Sequence, residues 1–530
     1  MIHSWLVLFP PVIILVAALI SKRLNPSIIL GLISAALVAQ HFMIMPAINL
    51  LITRLFKQVT DPENIYLYGF LIILGILISL LEYIGAALAF AHRLITRLKT
   101  AKSAQTATMV ISSILFIDDY LSCLTSGYVM RPLFDRFRLP RVKLAYLIHS
   151  LSAPLVILAP ISSWIALITS QLENAGISPL ANHTTRIIAD PFYIYLQSIP
   201  YIFYSIILIM SVWLVVRRSL SFGQMHEQEV IADTTGNLFG GKEPLTGTTT
   251  AQKTTSGSVW ELVFPLFLLI VIFISGIAWA GGYWLFGGSY SFVYALQKNN
   301  QTALMLFLAS IITLSVTFLI NLMNNKINGT VFLKKIVPNG IAMMQSSIIM
   351  VFLASTFGIM LREDLQTGIY LAQVLQGAIS IALLPFLFYL ISIIAAFITG
   401  SAWGTIALMI PIATQMITTL SAVPLPASPA DISILFPALG AIFSGAVCGN
   451  HISPIAETTI MSANSAGCYP IDHAITQFWY ALPAVIGAGI SFIVCGFLIS
   501  AAPLFSIGVS LGVGLIFSLA TLALANRFGK

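Results

Sequence analysis

A chain of 530 residues in which 58% are hydrophobic and only 8% are charged cannot clothe a water-soluble fold, because soluble domains carry about 25% charged residues. With a mean hydropathy of +0.96, the length allows about 11–14 membrane segments of roughly 20 residues each, and the apolar runs are long and continuous where β-barrel strands would be short and alternating. The net charge of +7 lies in short loops beside apolar runs, a membrane-orientation pattern that gives no nucleic-acid surface.

In chain order the apolar stretches fall at 4–20, 27–50, 65–91, 105–130, 144–172, 191–216, 259–280, 301–323, 339–361, 370–420, 432–460, 474–500 and 503–526. The opening Met1-Ile-His-Ser-Trp5 has no charged n-region, so the first run is expected to be an uncleaved span. The stretches group into N-terminal membrane helices (1–64), a first repeat (65–216), a linker (217–258), intervening membrane helices (259–338), a second repeat (339–500) and a C-terminal helix (501–530). The linker is rich in Thr and Gly, which predicts a flexible segment on the cytoplasmic side. Four scattered cysteines, Cys123, Cys448, Cys468 and Cys495, have no disulfide or metal spacing and read as small buried hydrophobes.

Basic residues predict orientation. Lys22 and Arg23, then Arg93, Arg97, Lys99 and Lys102, then Arg131, Arg136, Arg138, Arg141 and Lys143, all suggest cytoplasmic loops. Segment 105–130 is flanked by such clusters on both sides, so a simple crossing would put one of them outside. A re-entrant hairpin removes the conflict, and irregular backbone of that kind is tolerated where it lines a protein cavity. The second half repeats the first: Glu82 and Phe116 match Glu363 and Phe397 at one common offset, which lays Phe116-Ile-Asp-Asp-Tyr120 over Phe397-Ile-Thr-Gly-Ser401. Segment 65–91 should run inward and 339–361 outward, as in an inverted repeat. The expected fold is therefore an all-α polytopic membrane protein with two inverted-topology repeats, re-entrant hairpins and broken helices.

Four interrupted segments carry the chemistry. Asp118 and Asp119 lie side by side in Ile111-Ser-Ser-Ile-Leu-Phe-Ile-Asp-Asp-Tyr-Leu-Ser-Cys-Leu-Thr125. One ionised carboxylate in hydrocarbon costs about 2.5–3.5 kcal/mol, so such a pair implies a compensating ion, proton or charged substrate. Ser122 follows one turn after Asp118 and should share its face. The second segment runs from His149-Ser-Leu-Ser-Ala-Pro154 to Ala159-Pro-Ile-Ser-Ser-Trp164, where prolines free backbone carbonyls. The third is Thr399-Gly-Ser-Ala-Trp-Gly-Thr405, and the fourth Gly449-Asn-His-Ile-Ser-Pro-Ile-Ala-Glu-Thr-Thr459. Such oxygen-rich, charge-poor clusters suit a hard monovalent cation, and no phosphate loop or nucleotide-binding domain is present to power a pump.

Together these motifs, with Arg131-Pro132 and Lys143-Leu-Ala-Tyr146, resemble the NhaC-type sodium/proton antiporters over roughly residues 65–500. The resemblance implies the wider ion-transporter superfamily, whose members carry sodium, protons or small organic anions. The chain departs from the family pattern at three places. Asn450 and Glu457 stand where relatives usually have Asp, and His149 stands where they tend to have Asp. A site with fewer carboxylates either binds a cation more weakly or accepts a substrate that brings its own negative charge.

Two readings follow. In the first, sodium and protons compete at Asp118 and Asp119 by alternating access. Ser122, Ser162, Ser163, Gly400, Ser401, Thr405 and Thr458 supply further oxygens, and Glu457 is a second proton acceptor. In the second, the Asp pair holds a coupling ion while the rest of the site takes a small organic anion or amino acid. Glu82, His149, Asn450, His451 and Ser453 are the residues assigned to substrate or proton handling. Neither reading needs a cofactor, and neither is enzymatic; the partners are sodium, protons, the lipid bilayer and, in the second, the organic solute. The sequence leaves the oligomeric state open, a homo-oligomer included, and the charge pattern assumes a multi-pass protein of a bacterial inner membrane.

Overall fold

The computed structural model describes residues 4–86, 89, 98–244 and 258–529; Arg93 and Arg97 lie outside them. Among the described residues ten helices are long and apolar enough to cross a membrane, and two shorter apolar helices, Trp5–Ser21 and Leu24–Ala39, come first. The number falls just below the roughly 11–14 expected because several crossings are broken into halves too short to span alone. The chain is an integral, multi-pass membrane protein.

The helices are α1 (Phe9–Ser21), α2 (Leu24–Ala39), α3 (Ile44–Thr60), α4 (Pro62–Tyr83), α5 (Ala101–Ile114), α6 (Asp119–Arg136), α7 (Arg141–Leu151), α8 (Trp164–Asn174), α9 (Pro191–Ser198), α10 (Phe203–Arg218) and α11 (Gly223–Thr235). The second half supplies α12 (Trp260–Ala280), α13 (Thr302–Met323), α14 (Val337–Ile359), α15 (Thr367–Leu375), α16 (Leu384–Thr399), α17 (Ala402–Leu420), α18 (Leu435–Ile452), α19 (Glu457–Ala466), α20 (Pro470–Phe497) and α21 (Pro503–Phe528).

The two ends of the bundle differ in charge. At the basic end Lys102 Nζ donates to the carbonyl of Arg217 (2.5 Å), the N–H of Arg141 to that of Leu238 (3.1 Å), and Lys242 pairs with Asp472 (2.7 Å). At the opposite end two short parallel strands, β1 (Ile177–Ser178) and β2 (Ile187–Ile188), meet the backbone of Ala427, and Arg186 donates to Thr418 Oγ1 (3.0 Å). The α5–α6 hairpin therefore starts and finishes at the basic end, since Lys102 lies in the first turn of α5 and Arg141 follows α6. The α16–α17 hairpin is inserted from the opposite end, between Ile381–Leu383 and the turn that leads to Ala427. The broken pair α7 and α8 runs away from the basic end, and the broken pair α18 and α19 runs towards it. This is an inverted repeat. Packing follows the same symmetry: α6 lies on α19, and α17 lies on α8.

Two features differ from expectation. The stretch 217–258 is not wholly irregular: Gly223–Thr235 is helical, with Lys143 paired to Glu229 and Phe222 stacked on Tyr480 at 4.1 Å between ring centroids. Apolar side chains at Phe222 and Met225 tie this segment down. Lys22 and Arg23 are not in a loop at the basic end. Helices α1 and α2, of 13 and 16 residues, are about 20 and 24 Å long, and their turn brings Leu24 against Gly404 and Met350, halfway along α14.

Candidate functional site

Each hairpin and each broken helix is interrupted at the same level, for reasons written locally in the chain. In the first hairpin Asp118 adopts an extended conformation, and its carboxylate caps α6 by accepting from the N–H of Leu121 (2.9 Å). An acid at this position satisfies a helix donor and sits on the positive end of the dipole. In the second hairpin Gly400 takes the left-handed conformation (φ 65°), which favours glycine, and Ser401 caps α17 through the N–H of Gly404 (3.2 Å). Asp118 and Ser401 are therefore structural counterparts, two residues out of step with the sequence alignment. The break between α7 and α8 is tied to the first hairpin by the N–H of Ser163 on the carbonyl of Ile117 (2.9 Å). The break between α18 and α19 is tied to the second by Asn450 Nδ2 on the carbonyl of Gly400 (2.8 Å) and Ser453 Oγ on that of Phe397 (2.9 Å).

The four interruptions surround one cavity of about 430 Å³. Asp119 and Tyr120 enter its wall from α6, Trp164 from α8, Gly400 to Trp403 from the second hairpin, and Asn450, Glu457 and Thr458 from the second break. Four helices, α6, α8, α17 and α19, begin here, so four positive dipole ends face the acids. Trp164 and Trp403, from opposite repeats, meet edge to face at 6.0 Å. Tyr120 donates a 2.5 Å bond to Glu457 Oε2, joining the first hairpin to α19.

Asp118 and Asp119 are 3% and 5% exposed. Ser163 adjoins the Asp118 carboxylate and Trp164 that of Asp119. The hydroxyls of Ser162 and Ser163 and Nε1 of Trp164 are buried and, among the described residues, have no partner at hydrogen-bond distance and angle. A buried hydroxyl without a partner loses about 1–3 kcal/mol relative to a satisfied one, so the Ser163 hydroxyl against the Asp118 carboxylate fits a cation that takes oxygen ligands.

The other residues singled out in the sequence fall in distinct places. Ser122 Oγ points back to the carbonyl of Ser112 in the other hairpin arm (3.4 Å), and Thr405 Oγ1 is bonded to the carbonyl of Ser401 (3.0 Å), so these hydroxyls brace helices. Thr458 Oγ1 lies between Asn450 Oδ1 (2.9 Å) and His149 Nε2 (3.1 Å). His451 is held on both ring nitrogens, by Tyr204 and by Gln477, each at 2.6 Å. Glu82, in the last turn of α4, is half-buried near Asp118 without entering the cavity wall.

Sequence reasoning did not single out His473, whose Nε2 lies 3.1 Å from His149 Nδ1, nor the placing of Lys22 and Arg23 in the cavity wall. Nothing in the local pattern of Tyr469-Pro-Ile-Asp-His473 marks that histidine; only a partner 324 residues away does.

Inverted repeats whose broken helices enclose a site halfway between the two ends define a secondary active transporter. The comparisons give the same class. A model of the Na+/H+ antiporter family matches residues 155–497, and the chain belongs to that family. It is 30% identical over 495 residues to an uncharacterised protein of Haemophilus influenzae, covering 92% of this chain and 90% of that one. In fold it is similar to the YdaH transporter of Alcanivorax borkumensis, with a TM-score of 0.51 and 14% identity over 86% of this chain and 89% of the other.

Proposed function

We propose that this protein exchanges sodium for protons across a bacterial inner membrane, with its basic end in the cytoplasm and Asp118 and Asp119 as the shared site. The observation that carries the reading is the pair of buried acids, with the Ser163 hydroxyl against Asp118, at the level where all four interrupted segments meet. Two carboxylates so enclosed need a compensating positive charge. Sodium and protons supply it alternately, and that mutual exclusion is the coupling. Sodium is taken by the Asp118 and Asp119 carboxylates with the hydroxyls of Ser162 and Ser163 and backbone oxygen of the Gly400–Ser401 turn. Thr405 and Thr458, whose hydroxyls are already committed, are left out of that shell, and Glu457, held by Tyr120, is the second proton acceptor. Alternating access follows from the inverted symmetry, with one repeat moving against the other around the fixed site.

A second reading has one observation of its own: Lys22 and Arg23, neither in an ion pair among the described residues, line the same cavity as Asp119 and Glu457. A solute carrying a carboxylate would find a cationic partner there. Sodium binding to purified protein separates the two. The antiport reading expects radioactive sodium to bind without organic solute, to be displaced as pH falls, and to be lost in Asp119→Asn. Sodium binding that appears only when a carboxylate solute is added would replace it by the second reading.

A further inference from the structure

A single file of directed hydrogen bonds leads away from the cavity towards the basic end. The carbonyl of Gly400 only accepts, so the Asn450 amide turns its Nδ2–H₂ to it and its Oδ1 to Thr458. The Thr458 hydroxyl must then donate to Asn450, which leaves it to accept from His149 Nε2–H. With that proton on Nε2, neutral His149 presents a bare Nδ1, which accepts from His473 Nε2–H. His473 Nδ1 is then left bare, and it is a buried nitrogen with no partner among the described residues. The chain crosses from α20 through α7 and α19 to α18 and the second hairpin, joining both repeats.

We infer that His473 and His149 form a proton relay connecting the basic end of the protein to the cavity, an inference that rests on the antiport reading above. A proton arriving at His473 Nδ1 releases the Nε2 proton to His149 Nδ1. His149 in turn passes its own Nε2 proton to the Thr458 hydroxyl, which turns its proton into the cavity it lines, towards Glu457 and Asp119. The transfer leaves both rings in the opposite tautomer, so each must shed its Nδ1 proton and regain one on Nε2 before the next proton passes. His473 is well placed to receive the proton, since it follows Asp472, the partner of Lys242 at the basic end.

The neighbouring titratable groups stand outside this file. His451, whose ring centre is 4.5 Å from that of His149, is held on both nitrogens by Tyr204 and Gln477. Tyr146 and Tyr480 pack edge to face on the same two helices. The nearby charges are paired: Lys143 with Glu229, Arg141 with Asp135, and Lys242 with Asp472.

The test uses full-length protein in liposomes and two fluxes that differ only in their need for a proton: self-exchange of radioactive sodium, and sodium-driven proton movement read with a trapped pH dye. His473→Asn puts an uncharged amide in place of the ring and cannot pass a proton through. It is expected to keep sodium self-exchange within about twofold of wild type while its proton flux falls at least tenfold. Full proton flux in His473→Asn would overturn the relay alone. Equal loss of both fluxes in a monodisperse variant would assign His473 a structural role and overturn it too. Wild type with no sodium-driven proton flux would overturn the antiport reading and the relay with it.

Discussion

Asp118 and Asp119 are chemically identical neighbours with different surroundings. Asp118 caps α6 through the Leu121 N–H, while Asp119 enters the cavity wall. Losing a cap costs about 1 kcal/mol, so Asp118→Ala should lower thermal stability in detergent by roughly that amount, and Asp118→Asn, which still caps, should recover most of it. Asp119→Asn removes a costly buried charge and should not lower stability; equal losses for Asp118→Ala and Asp118→Asn would show that the cap is not what the carboxylate contributes. The pair was legible in the sequence because acids among Ile, Leu and Phe have no packing rationale. Their division of labour was not, because it depends on where the helix breaks. His149 and Asn450 were legible as departures from the family motif, but the direction of their hydrogen bonds needs Gly400 and Thr458 in place.

Among the elements, the two hairpin tips solve one problem in two ways. The first interrupts its helix with an acidic cap; the second uses Gly400 at φ 65°, where an added Cβ would lie 3.1 Å from Ile455. A left-handed residue other than glycine costs about 1–2 kcal/mol. Gly400→Ala should therefore destabilise the protein by that order and slow transport by shifting the carbonyl that orients Asn450. A variant with wild-type stability and rate would show the tip to be tolerant. The first hairpin was readable from charge alone, because basic clusters on both sides of 105–130 conflict with a single crossing. The α1–α2 turn was not, since counting Lys22 and Arg23 as loop charge cannot distinguish a loop at the membrane surface from a tip beside a cavity. The helix Gly223–Thr235 was missed for a related reason: a polar, Thr- and Gly-rich composition suggests flexibility, and the anchoring by Phe222 and Met225 is visible only once α20 is beside them.

At the scale of the whole molecule, the cavity is separated from the basic end by the contact between α6 and α19. Arg131 donates to the carbonyls of Asn464 (2.8 Å) and Ser465 (2.6 Å), Arg141 donates to that of Ala466 (2.9 Å), and Gly127 lets the helices approach so closely that a Cβ would lie 2.1 Å from Ser465 Oγ. If the repeats move against one another, this contact must part. Cys123 Sγ lies 3.2 Å from Ser462 Oγ across it. Ser462→Cys treated with a membrane-permeant oxidant is expected to lose exchange and to regain it on reduction; full exchange in the cross-linked protein would mean that access changes elsewhere. The most direct measurement is proton movement into liposomes holding an imposed pH gradient and a trapped dye, with sodium, lithium and potassium added in turn, for wild type and Asp119→Asn. Dissipation evoked by sodium in wild type and absent in the variant is the expected result. An Asp119→Asn protein that responds as wild type does, or a folded wild type that responds to no cation, would contradict sodium/proton exchange at the Asp118–Asp119 site.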